Sequence, residues 1–163
     1  MKLAPWRSVA ETAADLLPEY TVAFFRAGRK ALAKGDLETL HQFRISAKRF
    51  RYALEMFSSV YGPAFQVRLR ELKRLQEVLG ELNDVATAQA LVSGHPQAAL
   101  LRKALAARER SLREKLERLW REETDAAGQE AAWVRYFRRA AAPAPSRPRR
   151  RNHSPPAQAE PGL

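Results

Sequence analysis

The side chains with chemistry to offer gather in one stretch, His41-Gln-Phe-Arg-Ile-Ser-Ala-Lys-Arg-Phe-Arg-Tyr-Ala-Leu-Glu55. At about 100° per residue on a helix, Phe43, Ala47, Phe50, Leu54 and Phe57 fall in one narrow arc and predict a core-facing seam. His41, Arg44, Lys48, Arg51 and Glu55 form a second arc beside it, flanked by Tyr52, with Arg49 just outside. Cations at i, i+3 and i+4 repel one another by about 0.2–0.5 kcal/mol per pair. An anion lying across the row would relieve that cost. The stripe runs for roughly 20 Å at 1.5 Å per residue, too long for a single phosphate and suited to an extended anionic chain. Arg brings bidentate contacts to phosphate oxygens, Lys a compact point charge, and a protonated His donors on both ring nitrogens.

The competing reading of such a row is a solvated charged face. Its composition argues for more: five of its six ionisable positions are basic types and only Glu55 is acidic. The stretch from Arg102 to Glu123, with eight cations and five anions, instead reads as a solvated face laced with i,i+4 pairs. Arg26, Arg29 and Lys30 upstream, and Lys73 and Arg74 downstream, would widen the basic surface if they faced the same way.

Helices must position these groups. Ser8 with Glu11 makes a capping box for a short first helix, and Pro18 sits where a first-turn proline would start a second, ending near Lys34-Gly35. Tyr20, Phe24, Ala27 and Ala31 mark the buried stripe of that second helix. Asp36 caps a third helix, from about Leu40 to Tyr61, which Gly62-Pro63 stops. A fourth reaches about Val92 with Phe65, Leu69, Leu72, Gln76, Leu79 and Asn83 on one face. After Gly94-His95-Pro96, a charged helix from about Gln97 to Glu123 lines up Leu101, Leu105, Leu112, Leu116 and Leu119. Ala131–Ala140 adds a short last helix with Trp133, Tyr136 and Phe137. Short connections between long amphipathic helices predict an all-α antiparallel bundle of four-helix-bundle type.

The chain has 163 residues and a net charge of +11, enough for one domain with a tail. Residues 140–163 hold six of the ten prolines and four Arg against one Glu, and read as a disordered basic tail. That tail carries +3 and leaves +8 on residues 1–139, the expected bundle. The absence of cysteine excludes disulfides and thiolate chemistry. No apolar run has the length of a signal peptide core or a membrane span, so the expected setting is cytoplasmic, with a polyanionic partner. No P-loop, dinucleotide fingerprint or His-Glu-x-x-His occurs. A binding protein without cofactor is therefore expected rather than an enzyme.

The motif His41-x-x-Arg44-x-x-x-Lys48-Arg49-x-Arg51-Tyr52-x-x-Glu55, followed by Leu72-x-x-Leu75-Gln76-x-x-Leu79-Gly80-x-x-Asn83-Asp84, resembles the CHAD domain (conserved histidine α-helical domain) family. The resemblance implies an all-α bundle that binds inorganic polyphosphate, in some members at polyphosphate granules. It places Arg44, Lys48, Arg49 and Arg51 on the polyanion-contacting positions, with His41 and Tyr52 beside them and Lys73 as a helper. The family's histidines were also once proposed as metal ligands, but His41 has no second ligand at suitable spacing on its own face, so no metal is expected. The family usually carries two copies of the motif in two similar halves. Here there is one, which suffices alone or is completed by a second copy of the chain in a homodimer. The Glu-x-Glu-x-Lys signature of the triphosphatases fused to some relatives does not occur. Nucleic acid is the alternative polyanion, and pairing of the stripe with an acidic partner chain a third reading. Asn83 and Asp84 are expected as a buried hydrogen-bonded pair or, alternatively, with Asp84 orienting a basic residue toward the ligand. Gly80 is expected to mark close helix packing or a kink.

Overall fold

The computed structural model describes residues 8–61 and 63–140, and these form five α-helices with no strand among them. Helix α1 spans Val9–Lys34, α2 Leu37–Met56, α3 Pro63–Val92, α4 Ala99–Arg118 and α5 Gln129–Ala140. Two short 3-10 turns, Ser58–Val60 and Pro96–Ala98, sit between helices, and a π-helical turn, Leu119–Thr124, continues α4. The expected 140–163 tail lies outside the described residues, apart from Ala140 at the end of α5.

Local signals account for most boundaries. Ser8 and Glu11 form the reciprocal capping box, the Ser8 hydroxyl accepting from the Glu11 N–H and the Glu11 carboxylate from the Ser8 N–H. Gly35 closes α1 in the left-handed region at φ 67°, where its N–H reaches the Ala31 carbonyl at 2.8 Å. Asp36 then accepts from the Thr39 N–H at 2.7 Å and starts α2. With only two residues joining them, α1 and α2 pack as an antiparallel pair. Helix α3 packs against both α2 and α4, and α5 returns to α1.

Three expectations are corrected. Pro18 does not start a helix: α1 runs unbroken through it. The proline leaves the Ala14 carbonyl without its usual donor, while burial of Ala13, Leu17, Pro18 and Thr21 holds the continuous helix against the core. Helix α2 ends at Met56 rather than Tyr61, and the 3-10 turn after it swings Tyr61 inward to stack on Phe65. Leu101 does not belong to the buried line of α4, which is made by Leu112, Leu116 and Leu119 with Leu105 partly buried.

The core is aromatic. Phe24 on α1 lies within 5.2–5.6 Å, centroid to centroid, of Phe25, Phe43, Phe50 and Trp120. The predicted seam of α2, Phe43, Ala47, Phe50, Leu54 and Phe57, is buried throughout. The wider π-turn lets the consecutive residues Leu119 and Trp120 both enter the core. Gly28 of α1 makes room there, since a Cβ at that position would overlap the Trp120 indole. Trp133 and Phe137 of α5 close the other side against Phe25 and Phe50. The Tyr61 hydroxyl donates to the Phe137 carbonyl at 3.3 Å, and burial pushes its pKa up to about 12.

Candidate functional site

With the aromatic seam of α2 committed to the core, the stripe beside it faces the seam between α2 and α3. Arg44, Lys48 and Arg51 from α2 and Lys73 from α3 line one open groove of about 320 Å³, together with Gln76, Glu77 and Gly80. The two helices are fixed against each other at mid-groove by the Gln76 side-chain amide, which donates to the Ala47 carbonyl at 2.5 Å. That bond uses a carbonyl inside α2 and a half-buried side chain on the apolar face of α3.

The four cations are not equivalent. Among the described residues neither Arg44 nor Lys48 forms an ion pair. Arg51 and Lys73 instead share Glu55, at 3.8 and 3.6 Å respectively, both too long for a good hydrogen bond. The Arg51 guanidinium lies over the Tyr52 ring at 4.9 Å, and its Nε is buried with no hydrogen-bond partner. Arg51 is thus oriented by its neighbours but not satisfied by them. A buried donor left in that state costs about 1–3 kcal/mol.

The remaining expected site residues divide. His41 lies beyond Arg44, on the wall of a neighbouring cleft that Arg44 also lines. Arg49 is exposed and does not line the groove, because one residue past Lys48 turns it about 100° away. Tyr52 is exposed and meets the site only through Arg51. Arg29 and Arg74 do not widen the cationic surface. Arg29 binds Asp125 and Glu130, each at 2.6 Å, and Arg74 binds Glu123 at 2.8 Å. These pairs join residues far apart in the chain. The expected i,i+4 pairs are present at Glu109–Arg113 in α4 and at Glu117–Arg121, which reaches from α4 into the π-turn.

Asn83 and Asp84 are not a buried pair: Asn83 is half-buried in the wall of the cleft and Asp84 is exposed. Gly80 does not mark close packing either, since a Cβ there would have nothing within 4 Å. It leaves that wall of the groove open. Sequence reasoning grouped Gln76 with the core face and missed its bond across the groove, although a lone amide on an apolar face was the available signal. Among the described residues no cluster of three or more His, Cys, Asp or Glu is placed to hold a metal ion. No helix among them is long and apolar enough to cross a membrane.

Residues 2–93 match the CHAD domain. The matched segment is more than half of the chain and ends where α3 ends, so it contains both walls of the groove. No curated protein and no solved structure gives a match.

Proposed function

Because the chain belongs to the CHAD domain family, whose members bind inorganic polyphosphate, we propose that it binds inorganic polyphosphate along the α2–α3 groove. The observation that carries the proposal is the convergence of Arg44, Lys48, Arg51 and Lys73 on one open groove. Arg44 and Arg51 lie seven residues apart, about 10 Å along the helix, so several phosphates of one chain span the row and non-adjacent ones reach successive cations. Contact is electrostatic and indifferent to any base, and Gln76 adds an amide beside the charged rim. The protein acts by holding the polyanion and not by cleaving it. A second copy of the chain completes the family's two-motif arrangement, and polyphosphate granules are the setting we propose.

Long-chain polyphosphate titrated against the full chain and an Arg44→Ala/Lys48→Ala/Arg51→Ala variant tests the assignment. Affinity is expected to fall by at least about two orders of magnitude, from three lost charge-assisted contacts of roughly 1 kcal/mol or more each. Equal affinity would overturn it. Single-stranded DNA is expected to compete poorly at equal phosphate concentration, because the aromatic side chains of α2 other than Tyr52 are buried and offer its bases no stacking platform. Light scattering with and without polyphosphate reads the state of association.

A further inference from the structure

Beyond Arg44 the seam between α2 and α3 opens into a second cavity, a cleft of about 440 Å³ that α4 helps to enclose. Its size is that of a small-molecule site. The floor is apolar, made by Leu40, Leu79 and Leu82, all buried. Ala86 and Ala90 keep one side low, leaving room for a flat body.

The polar groups of its walls fall into two sets. The acids are engaged by neighbours: Glu38 accepts from the Gln42 amide at 2.9 Å, and Glu109 accepts from Gln89 at 2.9 Å and from Arg113 at 2.8 Å. Arg113 also donates to the Gly35 carbonyl at 2.7 Å. His41, Arg44 and the Asn83 side chain form no hydrogen bond or ion pair among the described residues, and all three line the cleft. An Asn amide sets one donor beside one acceptor, the pattern that pairs with a purine edge. Arg44 stands where the cleft meets the cationic groove, since it lines both cavities, and His41 lies three residues before it on the cleft's α2 wall.

We propose that this cleft is a nucleoside site, occupied by the base and sugar of a purine nucleoside polyphosphate whose phosphates pass Arg44 into the groove. The phosphate half rests on the groove reading above; the nucleoside half rests on the cleft alone. The base lies on the leucine floor with its edge toward Asn83, and the first phosphates meet His41 and Arg44.

Calorimetric titration of the full chain with ATP, inorganic tripolyphosphate and long-chain polyphosphate separates the two halves. ATP and tripolyphosphate carry the same number of phosphates, and the bare triphosphate carries more charge, so electrostatics alone favours tripolyphosphate. The expected result is ATP binding about tenfold more tightly, the worth of one or two hydrogen bonds plus apolar contact. Asn83→Leu and Ala86→Trp should each remove that preference while leaving long-chain polyphosphate affinity within about twofold. ATP binding no better than tripolyphosphate in the wild type overturns the nucleoside site, as does a preference that survives in both variants. Loss of long-chain binding with a cleft-sensitive ATP preference retained overturns the groove and leaves the cleft standing.

Discussion

At the residue scale, phase on a helix is what made the site legible. Knowing that α2 buries Phe43, Phe50 and Leu54 is enough to place Arg44, Lys48 and Arg51 on one side and to turn Arg49 away. What the sequence does not show is what those cations meet across the groove, because Lys73 and Glu55 lie on different helices and come together only through packing. The same limit hid the partners of Arg29 and Arg74. Two predictions belong here. Arg44→Ala should weaken polyphosphate binding and lower the slope of log affinity against log salt by about one, whereas Arg49→Ala should leave both nearly unchanged in the same titrations. Glu55→Gln should strengthen binding by about threefold, since the carboxylate competes for Arg51 and Lys73 through exposed pairs worth under about 1 kcal/mol. A weaker Glu55→Gln variant would show that Glu55 positions the cations instead of occupying them.

At the element scale, glycine and proline inside helices were the least legible residues, because their meaning there depends on what packs against the helix. Pro18 carries the composition of a helix start and sits inside α1. Gly28 and Gly80 are both inside helices, yet one faces an indole and the other open space. Their alanine variants should therefore move stability in opposite directions. Gly80→Ala should stabilise the fold by about 0.5–1 kcal/mol, the ordinary helix preference. Gly28→Ala should destabilise it by about 1–3 kcal/mol, the cost of overpacking, because the Trp120 ring is held by Phe24, Phe25 and Phe43. Urea unfolding of the two variants checks both signs. The π-turn that delivers Trp120 left no sequence signal, since Arg118 to Glu123 reads as a simple continuation of α4.

For the whole molecule, the region that carries the family match is not the unit that buries the core. Residues 2–93 hold the groove, but Trp133 and Phe137 of α5 and Trp120 cover Phe24, Phe25, Phe43 and Phe50. A fragment ending at residue 93 should lack a cooperative thermal transition, whereas a chain ending at residue 140 should keep the melting temperature of the full protein. Trp133→Ala should cost about 3–5 kcal/mol. Acid should also unfold the bundle by way of specific carboxylates. Hydrogen bonds from Gln89 and then Arg113 hold Glu109 below its ordinary value of 4.5, and the Thr39 N–H holds Asp36 below 3.8. Both bind protons more readily in the unfolded chain, so the stability they add is present above those ordinary values and is lost as pH falls through the lowered native ones. Glu71, raised by burial, works in the opposite sense. Denaturant midpoints between pH 6 and 3 should fall less steeply in Glu109→Gln than in the wild type.

The groove also has unlike ends. At Arg44 it runs on into a cleft, and at Arg51 and Lys73 it meets the Glu55 carboxylate. A track that meets a carboxylate at one end and opens into a cleft at the other has a direction. On the proposed reading, a linear polyanion lying in it should be held by a terminus more readily than by its middle, because only a terminus can stop short of the carboxylate. If polyphosphate binds there as proposed, occupancy should follow the number of chain ends in solution as well as the total phosphate, and a preparation cut into shorter pieces should bind more protein at equal phosphate.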